Sequence, residues 1–240
     1  MVVEFLKGIF DSAVKWRWIS FNPCAGAELP SIKRNREKEI WLPNEVAQFF
    51  KSDIIVNSKY YVMLLVSFST GMRPGEICAL TWASIAEDHI SVTAGMDRKK
   101  RATDLKTDGS NRKIYIDKQL YLKFMIQSKW QKENKLLFGN EYQESDYVFT
   151  HEDGTAISPY RYSVAFRKLL KQSKLELPQI SLYGARHSFA SNAIASGVEP
   201  SIVASILGHA TISTTYDNYV HVQSEPIRKV SELMYNITAQ

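Results

Sequence analysis

The spacing of apolar side chains predicts helices over most of the chain. Apolar residues recur every three or four positions, which is the period of an amphipathic helix. The predicted helices cover 1–20, 59–69, 117–132, 183–196, 200–207 and 213–219, two more begin at residues 42 and 158, and an amphipathic tail covers 225–235. Prolines and glycines separate these segments, because both residue types interrupt helices. The pattern therefore predicts a mostly helical protein.

Short strand-like patterns occur between residues 89 and 116. Residues 89–94 and 113–116 are rich in strand-forming side chains and are bounded by polar residues. The charged segment between them contains Asp108-Gly109, a dipeptide typical of tight hairpin turns. We therefore expect a mostly α fold of the α+β class, with a small three-stranded antiparallel sheet.

Composition narrows the class of protein. The 240 residues are 45% hydrophobic, which is enough for one large domain or for a domain with a small neighbour. The net charge of +5 suits a polyanion such as nucleic acid, although an ordinary basic surface would give the same figure. No secretion signal or membrane-length apolar run is present in the sequence, so we expect a soluble protein of the cytoplasm.

Cysteine and glycine patterns argue against a disulfide, a metal site and a nucleotide-binding loop. Cys24 and Cys78 are far apart and lack metal-ligand spacing, so we expect neither a disulfide nor a metal site. The sequence contains no glycine-rich loop of the kind that cradles nucleotide phosphates. We therefore expect no cofactor.

A sharp corner between two apolar helices carries an arginine. Gly71 is suited to end one helix and Pro74 to begin the next, which leaves Arg73 at the junction. An arginine at a buried corner needs an anion or a carbonyl, because an unpaired buried charge is costly. A salt bridge to Glu76 and a bound phosphate are both compatible with this pattern.

Candidate phosphate chemistry is concentrated in residues 181–221. Tyr183 and Arg186 lie three residues apart, His209 follows a Leu-Gly pair, and Tyr219 ends a polar turn. An arginine fork can clamp a phosphate, a histidine can donate to its oxygens, and a tyrosine can attack the phosphorus. Tyr216 is an alternative nucleophile, since it lies three residues before Tyr219.

This stretch resembles the second catalytic box of the tyrosine recombinases, the phage-integrase family. The match lies in R-H-S-F-A-S at 186–191, in L-G-H at 207–209, and in I-S-T-T-Y-D-N-Y-V-H at 212–221. T-G-M-R-P-G-E-I-C-A-L at 70–80 resembles the first box of the family, and K-T-D-G-S-N-R at 106–112 resembles its lysine hairpin. One departure is clear: Tyr183 stands where the family usually has histidine.

The resemblance implies a set of catalytic roles. In the family's pattern the arginines and the histidine hold the scissile phosphate, a glutamate supports the first arginine, a lysine is the general acid, and a tyrosine is the nucleophile. The corresponding residues are Arg73, Glu76, Lys106, Tyr183, Arg186, His209 and Tyr219. Lys99, Lys100 and Lys113 are alternatives to Lys106. The Tyr183 phenol can donate a hydrogen bond but is a poor proton acceptor near neutral pH, so we expect altered tuning and retained activity.

The same resemblance implies a domain layout and basic contacts to DNA. Residues 1–30 would be the last helix of a core-binding domain, 31–40 a linker and 41–240 the catalytic domain, in a chain shortened at its N-terminus. DNA contacts are expected from the linker and from the helix that begins at 158, with a solvated hinge and plain surface charge as the alternatives. The basic residues concerned are Lys33, Arg34, Arg36, Arg161, Arg167 and Lys168.

The function expected from this resemblance is site-specific DNA recombination for a phage or mobile element. DNA would be cut through a 3′-phosphotyrosyl link without metal or ATP, by a homotetramer on double-stranded DNA that is compatible with a monomer in solution. Accessory DNA-bending or directionality proteins and a nucleoid location belong to the same expectation, and no membrane is involved. A type IB topoisomerase and a catalytically silent DNA-binding protein are the alternatives.

Overall fold

The computed structural model describes residues 2–27, 39–97, 99, 102–104 and 111–208, with the backbone alone for 102–104. The chain divides into two compact units, Met1–Glu37 and Lys38–Gln240. The first unit contains helix α1, Val2–Lys15, which is shorter than the predicted 1–20 because Arg17 adopts a left-handed backbone conformation (φ 60°). Asn22 folds back and donates to the backbone oxygen of Lys7 (3.1 Å).

The helix α1 unit leaves many apolar side chains exposed. An apolar stripe on one face of a helix normally packs against another element. The exposed apolar residues of this unit are Val2, Phe5, Leu6, Ile9, Trp16, Trp18 and Phe21.

Eight further helices are described in the second unit. They are α2 (Pro43–Phe50), α3 (Asp53–Val56), α4 (Tyr61–Thr70), α5 (Pro74–Cys78), α6 (Lys118–Phe138), α7 (Pro159–Ser173), α8 (Leu182–Ala195) and α9 (Pro200–Leu207). The mostly helical fold predicted from apolar spacing is therefore confirmed. Among the helices that the structure describes, none is long and apolar enough to cross a membrane.

The strands form two antiparallel pairs. They are β1 (His89–Val92), β2 (Ala94–Met96), β3 (Ala102–Asp104) and β4 (Arg112–Tyr115). Strand β1 pairs with β4, so that Val92 faces Arg112, and β2 pairs with β3. The small antiparallel element is confirmed, and in the described residues its four strands pair as two two-stranded sheets where the sequence predicted three strands in one sheet. Thr93 interrupts the first strand between the two pairings, and Asp108-Gly109 lies outside the described residues.

Trp41 is the centre of an aromatic core that fixes helix α8. Its ring is fully buried and stacks on Phe68, with 5.2 Å between ring centroids. Its backbone N–H donates to Ser188 Oγ (2.8 Å), and its backbone oxygen accepts from Asn192 Nδ2 (3.0 Å). Both partners lie on α8. Buried backbone groups need such partners, so these bonds hold α8 against the core.

Glycine at position 71 lets helices α4, α8 and α9 meet closely. Gly71 ends α4 with a left-handed backbone (φ 62°), which favours glycine over residues with a Cβ. A Cβ there would lie 2.5 Å from Phe189 Cδ1 and 2.7 Å from Leu207 Cδ2. The absence of a side chain therefore permits the close approach that brings the end of α9 beside the corner after α4.

Candidate active site

The corner between α4 and α5 orients Arg73 through Glu76. Pro74 begins α5 directly after Arg73, which adopts an extended backbone conformation. The Arg73 backbone N–H donates to Glu76 Oε2 (2.8 Å), and Arg73 Nη1 donates to Glu76 Oε1 (2.8 Å). The salt bridge to Glu76, one of the two arrangements compatible with the sequence, is therefore present, and its carboxylate also satisfies an amide at the start of the helix.

Glu76 is a buried carboxylate between two arginines. Its side chain is 2% exposed, and it also accepts from Arg112 Nη2 at Oε2 (2.8 Å) and Arg112 Nη1 at Oε1 (3.2 Å). Burial by itself raises the pKa of Glu76, but the hydrogen bonds and charge of Arg112, followed by the bonds from Arg73, outweigh burial and hold that pKa below its usual value. Glu76 therefore remains an anion at neutral pH and binds both guanidinium groups.

Three arginines converge on the carbonyl groups at the end of α9. Arg186 Nη2 and Arg73 Nη1 both donate to the Leu207 oxygen (2.8 Å and 3.4 Å), and Arg73 Nη2 donates to the Gly208 oxygen (3.2 Å). Arg112 Nε donates to the Ile206 oxygen (2.6 Å). The last carbonyls of a helix lack partners within the helix and carry partial negative charge. This helix end therefore collects cationic side chains from three separate segments.

Arg186 is the more buried of the two predicted phosphate ligands. Its helix, α8, is capped by Ser181, whose Oγ accepts from the Gly184 backbone N–H (3.2 Å). Arg186 is 4% exposed and also donates from Nη1 to the Gly71 oxygen (2.9 Å), whereas the Arg73 side chain is 35% exposed. Tyr183 lies one helical turn before Arg186 and is 57% exposed. Arg73 and Arg186 therefore meet at Leu207, with Tyr183 on the surface close by in sequence.

Other predicted site residues fall on separate elements or outside the described part. Arg161, Arg167 and Lys168 are exposed on α7, where Arg161 and Lys168 share a face because they are seven residues apart. The residues Lys33, Arg34, Arg36, Lys106, His209, Tyr216 and Tyr219 lie outside the described residues. Their roles stay predictions, although the described chain ends at Gly208, directly before His209.

Arg112 is a site residue to which sequence reasoning gave no role. Its side chain is 7% exposed and bonds both Glu76 and the end of α9. The signal was present in the sequence, because Arg112 is the last position of the K-T-x-x-S-x-R pattern that singled out Lys106. Its partners are distant in sequence, so local pattern could not supply them.

Comparison with known proteins decides the family. A family model described as the phage integrase family matches residues 41–225. The chain belongs to the phage integrase family. The resemblance drawn from the sequence motifs is thereby confirmed.

Curated relatives include integrases and Xer-type recombinases. The chain is 30% identical over 250 residues to the ICEBs1 integrase of Bacillus subtilis (strain 168), a match that covers 97% of this chain and 65% of the relative. It is 28% identical over 241 residues to a tyrosine recombinase XerC-like protein of Caldanaerobacter subterraneus, covering 91% of this chain and 61% of that protein. The chain therefore spans less than two thirds of the length of these two relatives.

Solved structures share the fold at lower identity. The Tn1549 transposon integrase in complex with a circular intermediate DNA superimposes with a TM-score of 0.77 and 20% identity, covering 97% of this chain and 77% of that one. A lambda integrase dimer bound to a COC′ core site gives a TM-score of 0.62 and 15% identity, covering 90% of this chain and 58% of that one. These likenesses support the same fold for this phage integrase family chain.

Proposed function

We propose that this chain is the catalytic portion of a site-specific recombinase that cuts and rejoins double-stranded DNA for a mobile element. The observation that carries the proposal is the convergence of Arg73 and Arg186 on the Leu207 carbonyl, two residues before His209. Two guanidinium groups at one point form a site for a tetrahedral anion, because each offers a planar fork of donors. The family membership of the chain supports the same conclusion.

The proposed reaction exchanges one phosphodiester for another. The hydroxyl oxygen of Tyr219 attacks phosphorus and releases its proton to solvent, the bond from phosphorus to the 5′ oxygen breaks, and Lys106 supplies the proton for that oxygen. Arg73, Arg186 and His209 balance the charge that builds on the nonbridging oxygens. Rejoining is the reverse attack by a 5′ hydroxyl on the 3′-phosphotyrosyl link. A phosphoester bond is retained throughout, so no ATP is required.

Exchange of carbonyl groups for phosphate is the binding step that this geometry supports. Arg73 donates to the Leu207 and Gly208 oxygens, which carry only partial charge. A DNA phosphate carries a full charge and makes stronger hydrogen bonds to arginine than a carbonyl does. Arg73 is 35% exposed, so it is the arginine that a phosphate would meet first. In this proposal DNA binding also loosens the end of α9, directly before His209.

The remaining parts of the chain have proposed roles around the duplex. Basic residues on α7 and in the linker, including Arg161, Lys168 and Lys33, would contact backbone phosphates, which position a protein on DNA without reading its sequence. Helix α1, with its exposed apolar face, would be the last helix of a core-binding domain over 1–30. A linker over 31–40 and a catalytic domain over 41–240 would follow it. Four copies on two DNA sites, accessory proteins and a nucleoid location complete the proposal.

A trapped covalent complex tests the proposal. A nicked duplex carrying the attachment site would be incubated in EDTA with this chain and with Tyr219→Phe and Tyr216→Phe. We expect a covalent protein–DNA band that is lost in Tyr219→Phe and retained in Tyr216→Phe. Loss of the covalent band in Tyr216→Phe alone would identify Tyr216 as the nucleophile in place of Tyr219. If no sample gives a band but DNA binding is retained, the assay would be repeated with N-terminal sequence from a relative added to this chain. The same result in that repeat would favour a catalytically silent DNA-binding protein.

A further inference from the structure

We infer that Arg112 is a positioning residue, which orients Arg73 through Glu76 and fixes the end of α9 before His209. The inference concerns the geometry of the DNA-free protein, and its catalytic consequence rests on the function proposed above. Arg112 lies at the start of β4, outside both catalytic boxes.

One planar side chain bonds two different elements. Nη1 and Nη2 of Arg112 donate to the Glu76 carboxylate on α5, while Nε donates to the Ile206 oxygen on α9 (2.6 Å). The nitrogens of a guanidinium lie in one rigid plane, so these bonds fix the direction between the two elements as well as their separation. Lysine has a single point of attachment and cannot reproduce this arrangement.

Close packing holds the Arg112 guanidinium in place. The side chain is 7% exposed, and a Cβ at Gly208 would lie 2.9 Å from Arg112 Nη1. Gly208 ends α9 with a left-handed backbone (φ 66°) and lies directly against the guanidinium. Arg112 therefore also supports Gly208, the residue directly before His209 in the sequence. Such depth makes direct contact with a DNA phosphate unfavourable for this residue.

Arg112 links segments of the chain that carry predicted catalytic groups. It follows Lys106 by six residues, and its own bonds reach the corner that bears Arg73 and the helix that ends before His209. Three segments that carry predicted catalytic groups are thus joined through one buried cation. Loss of this cation leaves Glu76 with Arg73 as a half-exposed partner, and a buried carboxylate that loses a charged partner rearranges or takes up a proton.

Single-turnover cleavage separates positioning from simple structural support. Arg112→Lys, Arg112→Met and the control Lys129→Gln, which removes an exposed charge on α6, would be compared in the full chain. We expect cleavage of the nicked duplex to fall about 10- to 100-fold in both Arg112 variants, because small misplacement of catalytic groups has effects of this size. The DNA dissociation constant should stay within about threefold, since most affinity comes from exposed phosphate contacts.

A double-mutant cycle tests whether Arg112 acts through Glu76. If it does, the losses in cleavage rate from Arg112→Met and Glu76→Gln will be strongly non-additive. Additive losses, wild-type cleavage in Arg112→Lys, or a parallel fall in DNA binding and melting temperature would overturn the inference. Arg112→Lys keeps the charge, so it remains informative where Arg112→Met fails to fold.

The DNA-free protein provides a readout that does not depend on the proposed function. The Arg73 guanidinium resonance would be followed by isotope-labelled NMR in wild type, Arg112→Lys and Lys129→Gln. We expect a shifted and broadened Arg73 signal in Arg112→Lys alone. An unchanged signal would overturn the inference. If wild type forms no covalent complex with any DNA, the proposed function fails while this measurement still decides the role of Arg112.

Discussion

The Glu76 carboxylate binds Arg73 at two places, once at the Arg73 backbone N–H and once at the Arg73 guanidinium. The Arg73 amide lies 2.8 Å from one carboxylate oxygen and Arg73 Nη1 lies 2.8 Å from the other. The carboxylate that caps the start of α5 therefore also directs the guanidinium. This double use couples the stability of the corner to the geometry of the candidate site.

Replacing Glu76 with glutamine should destabilise the protein. A neutral amide cannot balance Arg73 and Arg112, so a buried arginine loses its counterion, and we expect the free energy of unfolding to fall by about 3 kcal/mol. Urea unfolding at neutral pH measures this change. Glu133→Gln is the matched control, because Glu133 pairs with Lys129 on the exposed face of α6. Equal effects of the two substitutions would contradict a special role for the buried carboxylate.

Acid should remove the contribution of Glu76 to stability. The two arginines lower the pKa of Glu76 in the folded protein despite its burial, so the folded state binds its proton less readily than the unfolded chain does. The stabilisation is therefore fully present above the unfolded carboxyl pKa of about 4.3 and is lost as the pH falls through the lower folded value. Urea titrations from neutral pH downward should show the gap between wild type and Glu76→Gln closing below that point. A gap that is independent of pH would count against this ionic account.

Alanine at position 71 should be costly for two separable reasons. The left-handed backbone of Gly71 strains any residue with a Cβ, and that Cβ would also overlap Phe189 and Leu207. Gly197, just after the end of α8, also has a positive φ (91°), but a Cβ there meets nothing within 4 Å. We expect Gly197→Ala to lower the free energy of unfolding by about 1 kcal/mol and Gly71→Ala by about 1–3 kcal/mol more. Equal losses of unfolding free energy in the two variants, measured by thermal unfolding, would show that Phe189 and α9 shift to accommodate the Cβ without destabilising the protein.

Helix positions were predictable because the helices carry their own signal. The helices predicted over 183–196 and 200–207 correspond closely to α8 and α9. Apolar spacing and the flanking Ser181 and Pro200 are local features, so the sequence shows them directly. The break between β1 and β2 gave no such signal. Thr93 interrupts the strand, although threonine is itself a strand-forming residue.

The contacts of the candidate site were only partly predictable. The pair Arg73 and Glu76 lies within one helical turn, so its spacing could be recognised in the sequence. The bond from Arg112 to Ile206 joins residues 94 positions apart, and the acceptor is a backbone carbonyl common to every residue type. No side-chain pattern marks such an acceptor, which is why the convergence at the end of α9 required the structure.

Histidine at position 183 should add pH dependence to DNA cleavage. Tyr183 is 57% exposed one turn before Arg186, so substitutions there should leave the fold unchanged. A phenol can donate to the phosphate near neutral pH, whereas a neutral imidazole can also accept the proton that the proposed nucleophile, Tyr219, must lose. We expect Tyr183→His to cleave at least as fast as wild type at neutral pH, with a rate that rises through about pH 6.5.

Tyr183→Phe separates hydrogen bonding from packing at the same position. It retains the ring and removes the hydroxyl, so the single-turnover rate should fall about tenfold, in line with the loss of a hydrogen bond to a charged group. Both variants would be measured on the nicked duplex across the same pH range, with melting temperature as the check on folding. Wild-type cleavage by Tyr183→Phe would show that the Tyr183 hydroxyl makes no contact with the reacting phosphate, and the departure from the usual histidine would then lie outside the chemistry.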